Sequence, residues 1–225
     1  MTRRLFLALN ATDPLADTFL PTLKKLKINA DRRDMTVKWV PLDNYHVTVT
    51  FLGDRPEEEV QKVAEALANV CQNFAPFDLK IEDVGAFSNE HDARVLWLGV
   101  QNKRSLNQFK EALDHELVEK NLLPKIEERP FSPHLTFGRL RNPRSVKDMI
   151  SPFKRKSFGK IHVTEIVLYE STLQGAFPVY KPPRPLQADR KRRPSGCRSR
   201  TNEYRYYFHV GEQSHHPSDH RLWMD

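Results

Sequence analysis

Two His-x-Thr tripeptides are the residues whose types and spacing could do chemistry. They are His46-Val47-Thr48 and His134-Leu135-Thr136. In a β-strand, residues i and i+2 point to the same face, so each tripeptide would present an imidazole together with a hydroxyl. Two imidazoles with ordinary pKa values of about 6.5 can serve as general acid and general base near neutral pH. The pattern fits phosphodiester chemistry, in which one oxygen must lose a proton while another gains one.

Three further side chains could assist at the phosphate. The hydroxyls of Thr48 and Thr136 could hold its non-bridging oxygens, and Arg139, five residues after His134, could neutralise developing charge. Strict alternation along a strand places Arg139 on the face opposite His134. It reaches the same face only if Gly138 ends or bulges the strand.

A third tripeptide, His162-Val163-Thr164, shows that the pattern alone is not specific. Its position does not match a duplication that relates the other two. We therefore expect His162 to be a packing or surface residue.

Hydrophobic periodicity predicts alternating strands and helices along most of the chain. A helix should begin at Asp13-Pro14, and Pro21 should kink or shorten it. The other predicted helices cover 56–74 and 103–120, and the predicted strands cover 4–10, 35–40, 45–52, 77–87, 94–100, 134–140, 160–170 and 173–180.

The order strand, helix, strand occurs twice with a shift of close to 90 residues, about the separation of the two tripeptides. This predicts an α+β fold with two duplicated lobes, whose antiparallel sheets line a central cleft and carry their helices outside. The cleft would bring the two tripeptides face to face.

Composition limits the remaining possibilities. The chain has 225 residues and a net charge of +7, which allows one domain with an appendage. Its apolar runs are too short to cross a membrane, the N-terminus lacks a signal-peptide pattern, and two cysteines make no disulfide framework, so we expect a cytoplasmic protein. Glycine-rich phosphate loops and the His-Glu-x-x-His motif are absent from the sequence.

Residues 1–185 form the predicted domain. The basic segment 186–225 is predicted to be a disordered tail, although Tyr204 to Val210 could form a short strand.

The sequence resembles the 2H phosphoesterase superfamily, and closely its RNA 2′,3′-cyclic phosphodiesterase branch, also called 2′-5′ RNA ligases. The resemblance covers about residues 3–185. It rests on runs that include Arg4 to Leu9, Trp39 to Gly53, Pro133 to Arg139 and Ile166 to Ser171, together with Tyr180.

The resemblance implies a bilobal fold and hydrolysis of an RNA terminal 2′,3′-cyclic phosphate to a 2′-phosphomonoester. Carried onto this sequence, His46 would be the proton donor and His134 the proton acceptor, while Thr48, Thr136 and Arg139 would hold the phosphate. We expect no metal, no cofactor and no membrane partner, and a monomer. Two alternatives stay open at this point: a 2′-5′ RNA ligase that joins tRNA halves, and a non-catalytic RNA-binding module.

Overall fold

The computed structural model of the protein describes residues 2–174, 177–182 and 205–208. The strands are β1 Thr2–Asn10, β2 Val37–Trp39, β3 His46–Pro56, β4 Phe77–Phe87, β5 Ala93–Gln101, β6 His134–Arg144, β7 Ser157–Val163, β8 Glu165–Gln174, β9 Phe177–Lys181 and β10 Arg205–Tyr207. The helices are α1 Thr12–Asp31, α2 Glu59–Cys71, α3 Arg104–Glu119 and α4 Lys147–Ile150, with single 3-10 turns at Leu42–Asn44 and Ser151–Phe153. No helix in these ranges is long and apolar enough to cross a bilayer.

The strands form two antiparallel groups, which we call the first and second lobes. The first lobe has the order β10-β8-β1-β3, with β9 also on β8; the second has the order β6-β5-β4-β7, with β2 also on β6. A single residue pair, Val47 with Leu135, joins β3 to β6 and makes the sheet continuous. Both residues of this junction follow a histidine of a His-x-Thr tripeptide, so the two tripeptides meet where the lobes meet. The predicted bilobal α+β fold is confirmed.

The sequence repeats and the lobes do not coincide, because the two halves of the chain exchange helices. Helix α1 comes from the first half but packs on the second lobe, where Phe19 contacts Phe137 and Phe158 with ring centroids 5.1 and 5.3 Å apart. Helix α3 comes from the second half but contacts β3 of the first lobe, where the Thr50 hydroxyl donates a 2.8 Å hydrogen bond to buried Asp114. Each lobe is therefore built from both halves of the chain, which ties the lobes together.

The predicted start of α1 was wrong, and Pro21 does not shorten the helix. The helix begins at Thr12, so Asp13 lies inside it rather than at its N-cap, and it runs for 20 residues with Pro21 in its interior. An interior proline costs about 3 kcal/mol because a hydrogen bond is lost. Burial of the four large apolar side chains of its inner face contributes about 1.5–3 kcal/mol each, enough to offset that cost. These side chains are Leu15, Phe19, Leu23 and Leu26.

The predicted strand 160–170 is two strands in different lobes. Strand β7 pairs with β4 in the second lobe, and β8 pairs with β1 in the first. The chain changes lobes at Thr164, between the two strands. Strand β7 alternates between buried and exposed residues, whereas Ile166, Val167 and Leu168 of β8 are all buried. Periodicity misses the break because a single residue separates the two apolar segments.

The segment predicted to be a disordered tail contains four residues that pack on the domain. Strand β10 pairs with β8, and Tyr206 and Phe208 are buried. The Phe208 ring lies between Phe109 of α3 and Phe77 of β4, at 5.1 and 5.4 Å. The boundary predicted at residue 185 thus excludes a strand that belongs to the first lobe, and the short strand considered for Tyr204 to Val210 is present at 205–207. The rest of 186–225 lies outside the described residues.

Candidate active site

A cavity of about 460 Å³ lies between the lobes, within the range of about 300–1,000 Å³ typical of small-molecule sites. All five side chains selected from the sequence line it, namely His46, Thr48, His134, Thr136 and Arg139. Sequence reasoning assigned no role to five other lining side chains, namely Arg4, Lys38, Phe51, Ser171 and Tyr180. Strict alternation places Phe51 on the face opposite His46, and only the bulge and strand pairing of the folded sheet bring Phe51 and Arg4 to the cavity, so the sequence held no local signal for either.

The two histidine rings are held in the same way. Nδ1 of His46 lies 2.7 Å from the carbonyl oxygen of Asn44, and Nδ1 of His134 lies 2.8 Å from that of Ser132. A carbonyl oxygen can only accept, so each Nδ1 carries the proton and donates it. Each Nε2 is then free to take a proton when the ring is neutral, or to give one when it is charged.

Aromatic rings enclose both imidazoles, His46 more fully. Tyr180 stands edge-on to His46 at 5.0 Å, and Phe6 lies 5.1 Å from it. The ring of Phe87 stands edge-on to His134 at 4.8 Å. These contacts fix the rings in place and remove water from their sides.

Burial changes the proton affinity of both rings. It lowers the pKa of His46 to about 4, and the positive charges of Arg139 and His134 act in the same direction. Burial also lowers the pKa of His134, again with a contribution from Arg139. The hydrogen bonds to Asn44 and Ser132 oppose these shifts. In the unliganded site His46 is therefore neutral at pH 7.

A β-bulge brings Arg139 to the cleft. In the pairing of β6 with β5, Thr136 lies opposite Trp97 and Gly138 opposite Leu96, which leaves Phe137 as an extra residue. Phe137 and Gly138 are both buried, and Arg139 then faces the cavity. The bulge resolves the conflict with strict alternation, and it lies at Phe137 rather than at Gly138.

The charge of the cavity is positive. Arg4, Lys38 and Arg139 line it, and no carboxylate is among its described lining residues. Arg139 makes no ion pair with any described residue of the chain. A cavity of this kind attracts an anion, and the hydroxyls of Thr48 and Thr136 add neutral donors.

His162 lies elsewhere, as expected. It is exposed on β7, and its Nδ1 is 2.8 Å from Oδ1 of Asp78. It does not line the cavity between the lobes. The prediction of a packing or surface residue is confirmed, and His162 is the second of these.

No group of three or more His, Cys, Asp or Glu side chains converges as a metal site within the part of the chain that the structure describes. Cys71, the cysteine within this part, is buried. The absence of a metal and of a cofactor stays a prediction.

A comparison of the sequence with protein-family models identifies the family of the chain. The model of the LigT-like phosphoesterase family matches the chain twice, over residues 14–97 and 98–180. The chain belongs to the LigT-like phosphoesterase family. The two matches follow one another, and the His-x-Thr tripeptides of the cavity, at His46 and at His134, fall one in each.

Curated members of the LigT-like phosphoesterases resemble the chain over nearly their whole length. The RNA 2′,3′-cyclic phosphodiesterase of Methanothermobacter thermautotrophicus is 31% identical over 180 residues, which cover 79% of this chain and 94% of the relative. That of Archaeoglobus fulgidus is 33% identical over 180 residues, 79% of this chain and 96% of the relative.

Solved structures share the fold. A protein of Thermus thermophilus superposes with a TM-score of 0.66 at 26% identity, covering 79% of this chain and 93% of that one. Escherichia coli LigT complexed with 3′-AMP superposes with a TM-score of 0.60 at 23% identity, covering 80% and 95%.

Proposed function

We propose that this protein hydrolyses an RNA terminal 2′,3′-cyclic phosphate to a 2′-phosphomonoester. The observation that carries the proposal is the pair of His-x-Thr strands meeting in one positively charged cleft. The family supports it, since relatives that align with 79% of the chain are RNA 2′,3′-cyclic phosphodiesterases.

The proposed reaction exchanges one P–O bond for another. Nε2 of His134 accepts a proton from water as the water oxygen bonds to phosphorus, and Nε2–H of His46 donates a proton to the departing 3′ oxygen as the P–O3′ bond breaks. Each proton transfer contributes about 10²- to 10⁴-fold to the rate. Exchange with solvent then restores both rings. Two imidazoles supply both transfers, so we propose that no metal ion is required.

The remaining site residues act on the phosphate. The hydroxyls of Thr48 and Thr136 donate to the non-bridging oxygens, and the guanidinium of Arg139 neutralises the charge that develops on them. These groups are already in place on two joined strands, so little reorganisation is needed at the moment of reaction.

A second assignment makes His134 the proton donor and His46 the proton acceptor. The lowered pKa of His46 favours it. A ring with a pKa of about 4 is a poor proton donor at pH 7 in the unliganded site. A bound phosphate anion works against the effect of Arg139 and raises the proton affinity of His46. The first assignment therefore requires His46 to gain its proton with the substrate.

We also propose a monomer acting in the cytoplasm. Both tripeptides belong to one chain, so a single copy supplies a complete site. A chain whose two cysteines make no disulfide framework is compatible with a reducing compartment.

The test is the product formed from a short RNA that ends in a 2′,3′-cyclic phosphate, incubated with the protein in excess EDTA at several pH values. We expect a 2′-phosphate and a bell-shaped pH dependence. Turnover only after a divalent metal is restored would contradict the two-histidine mechanism. Joined products from tRNA halves without hydrolysis would favour a ligase, and RNA binding without turnover a binding module.

A further inference from the structure

The cavity between the lobes carries more positive charge than one cyclic phosphate balances. Arg4, Lys38 and Arg139 are the cations among its described lining residues, and none of those residues is a carboxylate. A 2′,3′-cyclic phosphate is a diester and bears a single negative charge. The proposed reaction uses Arg139 for that charge and gives no role to Arg4 or Lys38. The excess charge favours a second anion in the same cavity.

Lys38 lies directly across from Arg139. Strand β2 pairs with β6, and in that pairing the two residues are opposite each other. Opposite residues of an antiparallel pair point to the same face with Cβ atoms about 4.5–5.5 Å apart, and both of these side chains line the cavity. Like charges at such positions destabilise the pairing. An anion bound at each of them removes the repulsion.

Arg4 stands in a different electrostatic setting. It lies on β1 in the first lobe, where its partner in the pairing with β3 is Asp54. A carboxylate is therefore opposite this cation, whereas an arginine is opposite Lys38. This difference favours Lys38, on the second-lobe side of the cavity, as the position of the second anion.

Strand β2 is packed so that Lys38 keeps its direction. The residues on either side, Val37 and Trp39, point to the other face and pack against the hydrophobic core. The Trp39 ring stacks on that of Phe137 at 6.3 Å. A Cβ at Gly138 would lie 3.1 Å from Cγ1 of Val37, closer than ordinary van der Waals contact, so this glycine lets β2 approach β6. Lys38 therefore projects into the cavity from a packed strand.

We propose that Lys38 binds the phosphodiester that links the terminal nucleotide of the RNA to the nucleotide before it. The inference rests on the proposed function and extends it from the cyclic end to the RNA chain. This phosphodiester is attached to the same sugar as the cyclic phosphate, so an RNA end bound at Arg139 brings a second anion with it. The Lys38 ammonium suits that anion, because it is a point charge whose donors rotate freely.

The proposed contact distinguishes classes of substrate. A free nucleoside 2′,3′-cyclic phosphate lacks the second anion, so the site should prefer RNA ends over cyclic mononucleotides. A backbone phosphate is the same at every base, so the contact carries no sequence preference.

The experiment is a double cycle between Lys38→Gln and neutralisation of that one phosphodiester. Two short RNAs with a 2′,3′-cyclic end are compared, identical except that one has an uncharged methylphosphonate before its terminal nucleotide. Both carry a 2′-deoxy sugar on the 5′ side of this linkage, which keeps the methylphosphonate stable. We expect Lys38→Gln to lower kcat/KM for the charged RNA by about tenfold, the lower end for a hydrogen bond to a charged group, because Lys38 is exposed. The loss for the neutral RNA should be less than about threefold.

Three further variants control the cycle. Lys38→Arg keeps the charge and should retain most of the activity on the charged RNA. Arg4→Gln removes a cavity charge from the first lobe and should lower both RNAs by the same factor. Lys24→Gln changes an exposed lysine on α1 outside the cavity and should alter neither. Equal melting temperatures of the variants exclude unfolding as the cause.

Salt dependence measures the same contact without turnover. The Kd of the product RNA, which ends in a 2′-phosphate and is not consumed, is measured by fluorescence anisotropy. We expect the slope of log Kd against log salt to fall by about 0.7 in Lys38→Gln, the value for one phosphate contact on a single strand. An equal slope in wild type and variant would contradict the contact.

The outcomes separate this inference from the proposed function. If the wild type turns over neither RNA, the proposed function fails, whereas the salt slope still decides the phosphate contact. If it turns over both and Lys38→Gln lowers them equally, Lys38 acts on the cyclic phosphate, and the inference is wrong while the function stands. A neutral linkage that abolishes the effect of Arg4→Gln rather than that of Lys38→Gln would place the RNA chain on the first lobe and overturn the inference.

Discussion

Val49 and Phe137 lie 88 residues apart and hold equivalent positions, each as the extra residue of a β-bulge three residues after a histidine. Each bulge places two successive residues in the core and returns the next one to the cleft. Because of the bulge at Phe137, the guanidinium of Arg139 lies on the same side of the sheet as Thr136.

The loss of either histidine should stop turnover. We expect His46→Ala and His134→Ala each to lower kcat by about 10²- to 10⁴-fold, since each removes one proton transfer. His162→Ala is the control from the third tripeptide and should keep wild-type rates, because it lies on β7 outside the cavity. The measurement is steady-state hydrolysis of the cyclic RNA end. Wild-type rates in either of the first two variants would contradict the mechanism.

A sulfur leaving group should identify the acid. A 3′-thiolate leaves without a proton, so a substrate with sulfur in the 3′ bridging position does not need the proton donor. We expect the defect of His46→Ala to fall to less than about tenfold with this substrate, while His134→Ala stays impaired at about 10²-fold or more. Rescue of His134→Ala instead would exchange the two roles.

Arg139 should act on the transition state. Arg139→Gln removes the charge from a cavity that holds no carboxylate among its described residues, and we expect kcat to fall by about 10²- to 10³-fold. Arg139→Lys should recover part of the loss, because it keeps the charge but not the planar fork. Arg141→Gln, an exposed neighbour on β6 outside the cavity, is the control. An effect on KM alone would assign Arg139 to ground-state binding.

Acid should destabilise the fold through His46. Its pKa is about 4 in the folded protein and about 6.5 when unfolded, so the unfolded chain binds the proton more tightly. This contribution to the free energy of unfolding is complete above about pH 6.5 and is lost as the pH falls through 4. The full loss is about 3 kcal/mol. Measured by urea unfolding, His46→Gln should show a weaker loss of stability over that range than the wild type. Equal slopes in both proteins would show that His46 does not titrate in this way.

Residues 205–208 should stabilise the domain. A chain ended at residue 204 loses β10 and the Phe208 ring between Phe77 and Phe109. Truncation of one such buried ring costs about 3–5 kcal/mol, so we expect the free energy of unfolding to fall by at least about 3 kcal/mol. A chain ended at residue 208 keeps both features and is the control. Equal stability of the two truncated proteins would contradict the structural role of β10.

Much of the site could be predicted from the sequence because its information is local. Period-two alternation places His46 with Thr48 and His134 with Thr136, and the repeat of strand, helix and strand predicts that the two pairs face each other. The same local patterns predict α2 and α3 to within a few residues.

Tertiary structure decided what depends on long-range packing. The bulges at Val49 and Phe137 arise from pairing with distant strands, so the chain by itself does not show that Arg139 and Phe51 turn into the cleft. The exchange of α1 and α3 between lobes, and the return of Phe208 to the core, depend on which surfaces meet. Likewise, the lowered pKa of His46 comes from burial among residues far apart in the chain, such as Phe6 and Tyr180. Periodicity within one segment predicts which side chains share a face. The bulges, the exchange of helices and the lowered pKa of His46 arise only when distant segments pack into one core.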